Sequence, residues 1–129
     1  MAAMNTIGQV AALIAALIHV AIFAMESLLF TRPAVRSRFH VGDADVAAAR
    51  PWAFNQGFYN LFLAIGTVVG LILLHTDGDA QAGRALVALA CASMLAAALV
   101  LIGTDRRMAR GALLQGLLPL IALLLLIFG

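Results

Sequence analysis

Four apolar stretches, at about residues 7–30, 52–74, 82–104 and 112–128, take up most of this 129-residue chain. A helix needs roughly 20 mostly apolar residues to cross a bilayer, and each stretch reaches or nears that length, the last being the shortest. Inside lipid every backbone N–H and C=O must find its partner within the protein, which for separate segments of this size means helices. Composition excludes the soluble alternative. Apolar residues make up 64% of the chain and charged residues 11%, against roughly 45–50% and 25% in soluble domains, and a domain this small cannot bury the excess. The expected fold is all-α: a single domain over residues 1–129, an antiparallel bundle of four transmembrane helices. The first stretch lacks a basic n-region and is too long for the core of a signal peptide, so it is expected to be a span.

The connections set the path. Residues 75–81 contain Asp77-Gly78-Asp79, a turn signal, and residues 104–111 are also few, so the helices on either side are antiparallel neighbours. Residues 31–50 form the one long connection, and Pro51 suits the first turn of the second helix, where its missing N–H costs nothing. All eight basic residues are arginine. Arg32, Arg36, Arg38 and Arg50 fall in the first connection, Arg106, Arg107 and Arg110 in the third, and only Arg84 near the second. The positive-inside rule puts connections one and three in the cytoplasm and both termini outside. Phe30, Phe39, Trp52, Phe54, Phe58 and Tyr59 crowd the same level, as an interfacial aromatic belt does. The arginines are suited to anchoring on anionic lipid. A net charge of +2 drawn from loops gives no reason to expect nucleic acid.

Polar residues within spans are costly and need a reason. The first stretch carries His19 and Glu26, seven residues apart and so on one face, separated by about 10 Å of helical rise. The second opens with Asn55-Gln56-Gly57-Phe58-Tyr59-Asn60, in which Gln56, Tyr59 and Asn60 share a face, with Trp52 before and Thr67 after, while Asn55 points elsewhere. The fourth carries Gln115, whose carbonyl loses its helical donor to Pro119. Antiparallel topology brings Glu26, the Asn55–Asn60 run and Gln115 into the cytoplasmic half, with His19 nearer the middle. Glu26, His19 and Tyr59 are the candidate catalytic groups; Asn55, Gln56, Asn60, Gln115 and Trp52 are the candidate substrate-binding groups. The bland reading is that the amides and the tyrosine only join helices, at about 0.6 kcal/mol per contact. Glu26 resists it, since a carboxylate there needs a cation such as Arg32 or Arg36, or else a proton. Gly66 with Gly70, and Ala88, Ala92 and Ala96, are small-residue pairs that serve bundle packing or a dimer face.

No Walker loop, dinucleotide fingerprint or His-Glu-x-x-His motif is present, and the single Cys91 has no intrachain partner. His19, His40 and His75 fall at different levels, so no metal site is expected. No cofactor is expected either: His19 is the one candidate haem ligand, and nothing specific supports haem.

The His19–Glu26 spacing, the Thr31-Arg32-Pro33 and Arg38-Phe39 segments, the Asn55–Asn60 run followed by Phe62-Leu63-Ala64, and Gln115-Gly116-Leu117-Leu118-Pro119 together resemble the bacterial membrane family known as domain of unknown function 1304. The resemblance spans almost the whole chain, and the Asn-Gln-Gly-aromatic-Tyr-Asn run is its most specific part. Phe30 stands near a position where that family usually has tryptophan, and Leu61 where it usually has glycine. The family implies a four-helix protein of the bacterial inner membrane and no established activity.

Three functions fit these residues. In the first, Glu26 serves as acid/base, with His19 as a second proton carrier and the amides orienting a small hydrophobic molecule, for binding or conversion. The second is a proton-coupled exporter acting as a homo-oligomer, although the long first connection and the lack of a repeat weigh against it. The third is a structural or accessory subunit, with the polar set as glue. Whether the chain is an enzyme stays open. The partners expected are membrane lipid, a small hydrophobic ligand and a second copy.

Overall fold

The computed structural model describes residues 4–129, and among them all regular structure is helical. Helix α1 runs Thr6–Phe23 and continues into a π-helical turn, Ala24–Leu28. A short α2, Pro33–Arg36, follows. Three long helices complete the chain: α3 (Val46–Leu73), α4 (Ala80–Thr104) and α5 (Ala109–Phe128). Four segments are long and apolar enough to cross a membrane, namely Thr6–Leu28, Asp43–Leu73, Ala80–Thr104 and Arg106–Phe128. The chain is thus a multi-pass membrane protein by length and composition.

Side-chain size is distributed as lipid requires. The inward face of α1 is Gly8, Ala11, Ala12, Ala15, Ala16, His19 and Ile22, whereas Ile7, Val10, Leu13, Ile14, Leu17 and Val20 point outward. Lipid tails are as apolar as leucine, so burying large aliphatic side chains brings helices together no more strongly than leaving them in lipid; small residues do so by letting backbones close up. The helices follow one another round a ring, α1–α3–α4–α5 and back to α1, with α1 and α4 on a diagonal. Gly70 and Gly83 let backbone meet backbone: a Cβ on Gly83 would lie 2.6 Å from the Gly70 carbonyl oxygen and 2.7 Å from the Leu74 nitrogen. Gly66, by contrast, faces open space, so the Gly66–Gly70 pair is divided between the bundle and its exterior.

Two boundaries differ from the sequence expectation. Helix α3 begins at Val46 rather than near Trp52, which places Pro51 inside the helix and not in its first turn. Ala47, Ala48 and Ala49 are strong helix formers, and Asp43 and Asp45 precede them at the positive end of the helix dipole. Together they carry the helix past a proline that removes one hydrogen bond. Helix α5 likewise begins at Ala109, a turn of helix before Ala112, because the connection from α4 is itself helical over Arg106–Met108.

The two ends of the bundle are finished differently. At the end holding the termini, the Asn5 side chain caps α1 by accepting from the Ile7 N–H at 2.8 Å. There Arg84 Nη2 donates to the Leu126 carbonyl at 2.9 Å, satisfying a group that the last turn of α5 leaves free. His75 Nε2–H donates to Gln9 Oε1 at 2.8 Å, joining α1 to the end of α3, and Gly78 supplies the positive φ of the α3–α4 turn. The opposite end gathers the remaining arginines. Arg36 pairs with Asp43 and also donates to the Thr31 carbonyl. Arg107 pairs with Asp105 at 2.9 Å and holds its carboxyl below the usual carboxylate range. His40 Nε2–H donates to the Arg107 carbonyl at 3.3 Å, joining the first connection to the third.

Candidate functional site

The site is built where α1 ends. A π turn holds one more residue than an α turn and recurs at functional positions; here the Leu29 N–H reaches back to the Ala24 carbonyl at 2.9 Å. The widened turn carries Glu26 and Ser27 side by side against α3. Ser27 Oγ donates to the Phe54 carbonyl at 2.8 Å, and Asn60 Nδ2 donates to Glu26 Oε1 at 2.6 Å and to the Gln56 carbonyl at 3.2 Å. Gly57 makes the approach possible. A Cβ there would overlap Ser27 Oγ and lie 3.1 Å from both Glu26 Cβ and the Phe23 carbonyl oxygen. On the flank of the same seam, Phe23 and Phe58 meet edge to face with ring centroids 5.1 Å apart.

Glu26 is 3% exposed. A carboxylate has about four acceptor positions, and Asn60 fills one of them. The Gln56 amide comes within reach of the carboxylate without forming a bond of full hydrogen-bond geometry. Among the described residues, no arginine pairs with Glu26. Arg36, one of the two partners the sequence offered, is taken by Asp43.

His19 is 1% exposed. Its Nδ1–H donates to the Ala15 carbonyl at 2.8 Å, and Nε2 makes no hydrogen bond among the described residues. Two turns of helix separate it from Glu26, and nothing joins the two directly. Gln115 is half-buried on α5. Counting along the antiparallel pair from Leu125, which packs on Gly8, places Gln115 near the level of His19 and not of Glu26. Pro119 lies buried one turn further on.

The Asn55–Asn60 run divides around α3. Gly57 and Asn60 turn toward α1, and Gln56, although exposed, sits beside the carboxylate. Asn55 is exposed, Tyr59 is 64% exposed and Trp52 is 78% exposed. The face shared by Gln56, Tyr59 and Asn60 in the sequence reading is therefore split, with Tyr59 and Trp52 on the outside of the bundle. What remains together is Glu26, Ser27, Gln56, Gly57 and Asn60. Ser27 and Gly57 were not singled out from sequence. A glycine inside a helical run flanked by amides signals a close backbone approach; no residue pattern signals the π turn. Thr67, fully buried, bonds within its own helix to the Leu63 carbonyl at 2.8 Å. Among the described residues, no three of His, Cys, Asp and Glu come together as metal ligands.

Chemically, the arrangement is one largely buried carboxyl group held through Oε1 by the Asn60 amide, with Gln56 at its exposed edge. Such a group accepts a hydrogen bond or exchanges a proton. No curated protein and no solved structure matches the chain. A family model does match, over residues 13–127, and its span agrees with the resemblance carried by the His19–Glu26 spacing and the Asn55–Asn60 run. The chain belongs to the family described as Protein of unknown function (DUF1304).

Proposed function

We propose that this protein binds or converts a small hydrophobic molecule in the inner membrane, with the Glu26 carboxyl as the group that exchanges a proton. The observation that carries the reading is the state of that carboxyl: buried, without a cation and tied to one amide. Burying a charge without a partner is so unfavourable that such groups are retained for a task. Asn60 holds Oε1, so Oε2 is the oxygen that takes or gives the proton. Gln56, at the exposed edge of the site, is placed to orient a polar group on the ligand, and His19 is the second proton carrier, deeper in the bundle. Proton transfer of this kind needs no external cofactor. The clustering of seven arginines at the Glu26 end, with Arg84 alone at the other, supports an orientation with that end cytoplasmic and both termini outside.

A hydrophobic carbodiimide, which couples to protonated carboxyls shielded from water, tests the reading on the full chain in lipid vesicles. Glu26 is expected to be the labelled residue, with labelling falling as pH rises and lost in Glu26→Gln. Hydrophobic molecules that co-purify with the wild type, identified by mass spectrometry of its extract, are expected to be lost from the same variant. Labelling that ignores pH, together with an unchanged extract, would leave the Glu26–Asn60 pair as helix glue. A proton-coupled transporter would use the same carboxyl, and pH-driven uptake of a lipophilic dye into vesicles, abolished by Glu26→Gln, is the result that would favour it.

A further inference from the structure

Three connections join the long helices, and one is longer than the joining requires. Residues 74–79 turn α3 into α4 and residues 105–108 turn α4 into α5, so antiparallel neighbours in this bundle need no more. Residues 29–45 connect the π turn to α3 and are folded on themselves. Extra length of that kind commonly serves as a lid or binding loop. Arg36 ties the root of the connection to its return: Nη1 donates to the Thr31 carbonyl at 3.1 Å, and Nη2 pairs with Asp43. The half-buried Phe39 ring lies 6.0 Å from that of Phe30. Phe30 is 5% exposed, four residues beyond Glu26 toward the arginine-rich end. The next residue after Phe39 is His40, which reaches the Arg107 carbonyl at 3.3 Å from a left-handed backbone, φ 56°. It is the one non-glycine residue of positive φ among the described residues. Such a conformation persists where surrounding contacts hold it. Gln56, by contrast, reaches the carboxylate from an exposed position on the side of the bundle.

We propose that the first connection is a cap on the Glu26 site. Phe30 and Phe39 close the route from water at the arginine-rich end, the His40–Arg107 contact latches them, and the site opens sideways to lipid at Gln56. The substrate class follows, and this part rests on the reading of Glu26 as the working group: a molecule that dissolves in the bilayer before it binds, carrying one polar group for Gln56 and Glu26 to meet. A water-soluble compound is turned away.

The test uses the full chain in lipid nanodiscs, which expose both ends to water. In a Cys91→Ala background, Glu26→Cys reports access to the site through its rates of reaction with a charged and with an apolar thiosulfonate. The apolar reagent is expected to react readily and the charged one slowly. His40→Gly keeps the backbone free to take a positive φ and removes only the latch. It is expected to speed the charged reagent about fivefold, the weight of one ordinary hydrogen bond in the balance of closed and open caps. Phe39→Ala is expected to speed it at least as much, and His40→Gln, which keeps a donor at similar reach, to stay close to the unaltered cap. A charged reagent as fast as the apolar one with the cap unaltered, or rates that ignore both His40→Gly and Phe39→Ala, would overturn the cap. An apolar reagent as slow as the charged one would overturn the sideways opening. Because the cysteine replaces the carboxyl, none of these results depends on whether Glu26 exchanges a proton, which carbodiimide labelling reads separately.

Discussion

Two helix crossings in this bundle are closed by a glycine on α3, and they differ in everything else. At Gly70, near the terminal end, the neighbours are the Gly83 carbonyl, Leu86 Cβ and Val87 Cγ2; backbone and aliphatic groups suffice. At Gly57, near the arginine-rich end, the neighbours are a π turn, a serine hydroxyl and a buried carboxyl. The first crossing shows that this chain brings helices into contact without polar side chains. Glu26, Ser27 and Asn60 are therefore more than packing requires at the second. The contrast separates what holds the bundle together from what the bundle holds in place.

The largest effect is expected at the purely structural crossing. In Gly83→Ala the new Cβ would meet backbone atoms on α3, the Gly70 carbonyl oxygen at 2.6 Å and the Leu74 nitrogen at 2.7 Å, and neither can rotate away. The helices must part, at a cost of about 3 kcal/mol, the upper range for overpacking. Unfolding in detergent should show this loss, with no change in carbodiimide labelling of any molecules that remain folded. A variant of wild-type stability would mean that α3 and α4 are not in contact there.

Gly57→Ala should cost less, about 1–2 kcal/mol. The worst overlap is with Ser27 Oγ, the end of a side chain that can move, and the remaining contacts, at 3.1 Å, ask for small shifts. Ser27→Ala in the same chain should recover part of the loss, so a double-mutant cycle should show coupling between the two positions. Strict additivity would break the assignment of Gly57 to the π turn. Unlike the change at Gly83, this one should also alter labelling of Glu26, since it pushes directly on the turn that carries it.

The sequence showed much of this architecture and half of the site, for physical reasons that particular residues make plain. Length and apolarity define the spans because the bilayer sets a fixed length. Once the spans are antiparallel, Glu26 near the end of one and Asn60 near the start of the next must lie at similar depth. The direction a residue faces is less legible. In water a polar side chain marks the outside of a helix; in lipid that rule fails, so Tyr59 and Asn60, adjacent and both polar, gave no hint that one faces out and the other in. Gly57 makes that choice, by fixing which side of α3 can meet α1. Counting from the end of its helix puts Gln115 with Glu26, whereas the packing of Leu125 on Gly8 sets its level nearer His19. The proline rule sets the start of α3 at Pro51, whereas Ala47, Ala48 and Ala49 carry the helix back to Val46. The π turn has no residue signature, and it is the feature that lets Glu26 and Ser27 reach α3 together.

The smallest change in stability is expected from the substitution with the largest chemical consequence. In Glu26→Gln the new side-chain carbonyl still accepts from Asn60 Nδ2, and the side chain keeps its length, so the α1–α3 crossing should stay closed. Stability should shift by no more than about 0.6 kcal/mol, the mean for one interhelical polar contact. Asn60→Leu should behave similarly in unfolding while leaving a carboxyl available for labelling, because it removes the donor and keeps the acid. If Glu26→Gln instead unfolded the bundle as severely as Gly83→Ala, the two crossings would be alike after all, and the carboxyl would be part of the fastening. If it left the bundle intact while labelling and bound molecules vanished, the difference between the crossings would be one of purpose: a buried carboxyl at the end of the bundle that gathers seven arginines, where Arg36 and Arg107 pair with aspartates and, among the described residues, no arginine pairs with Glu26.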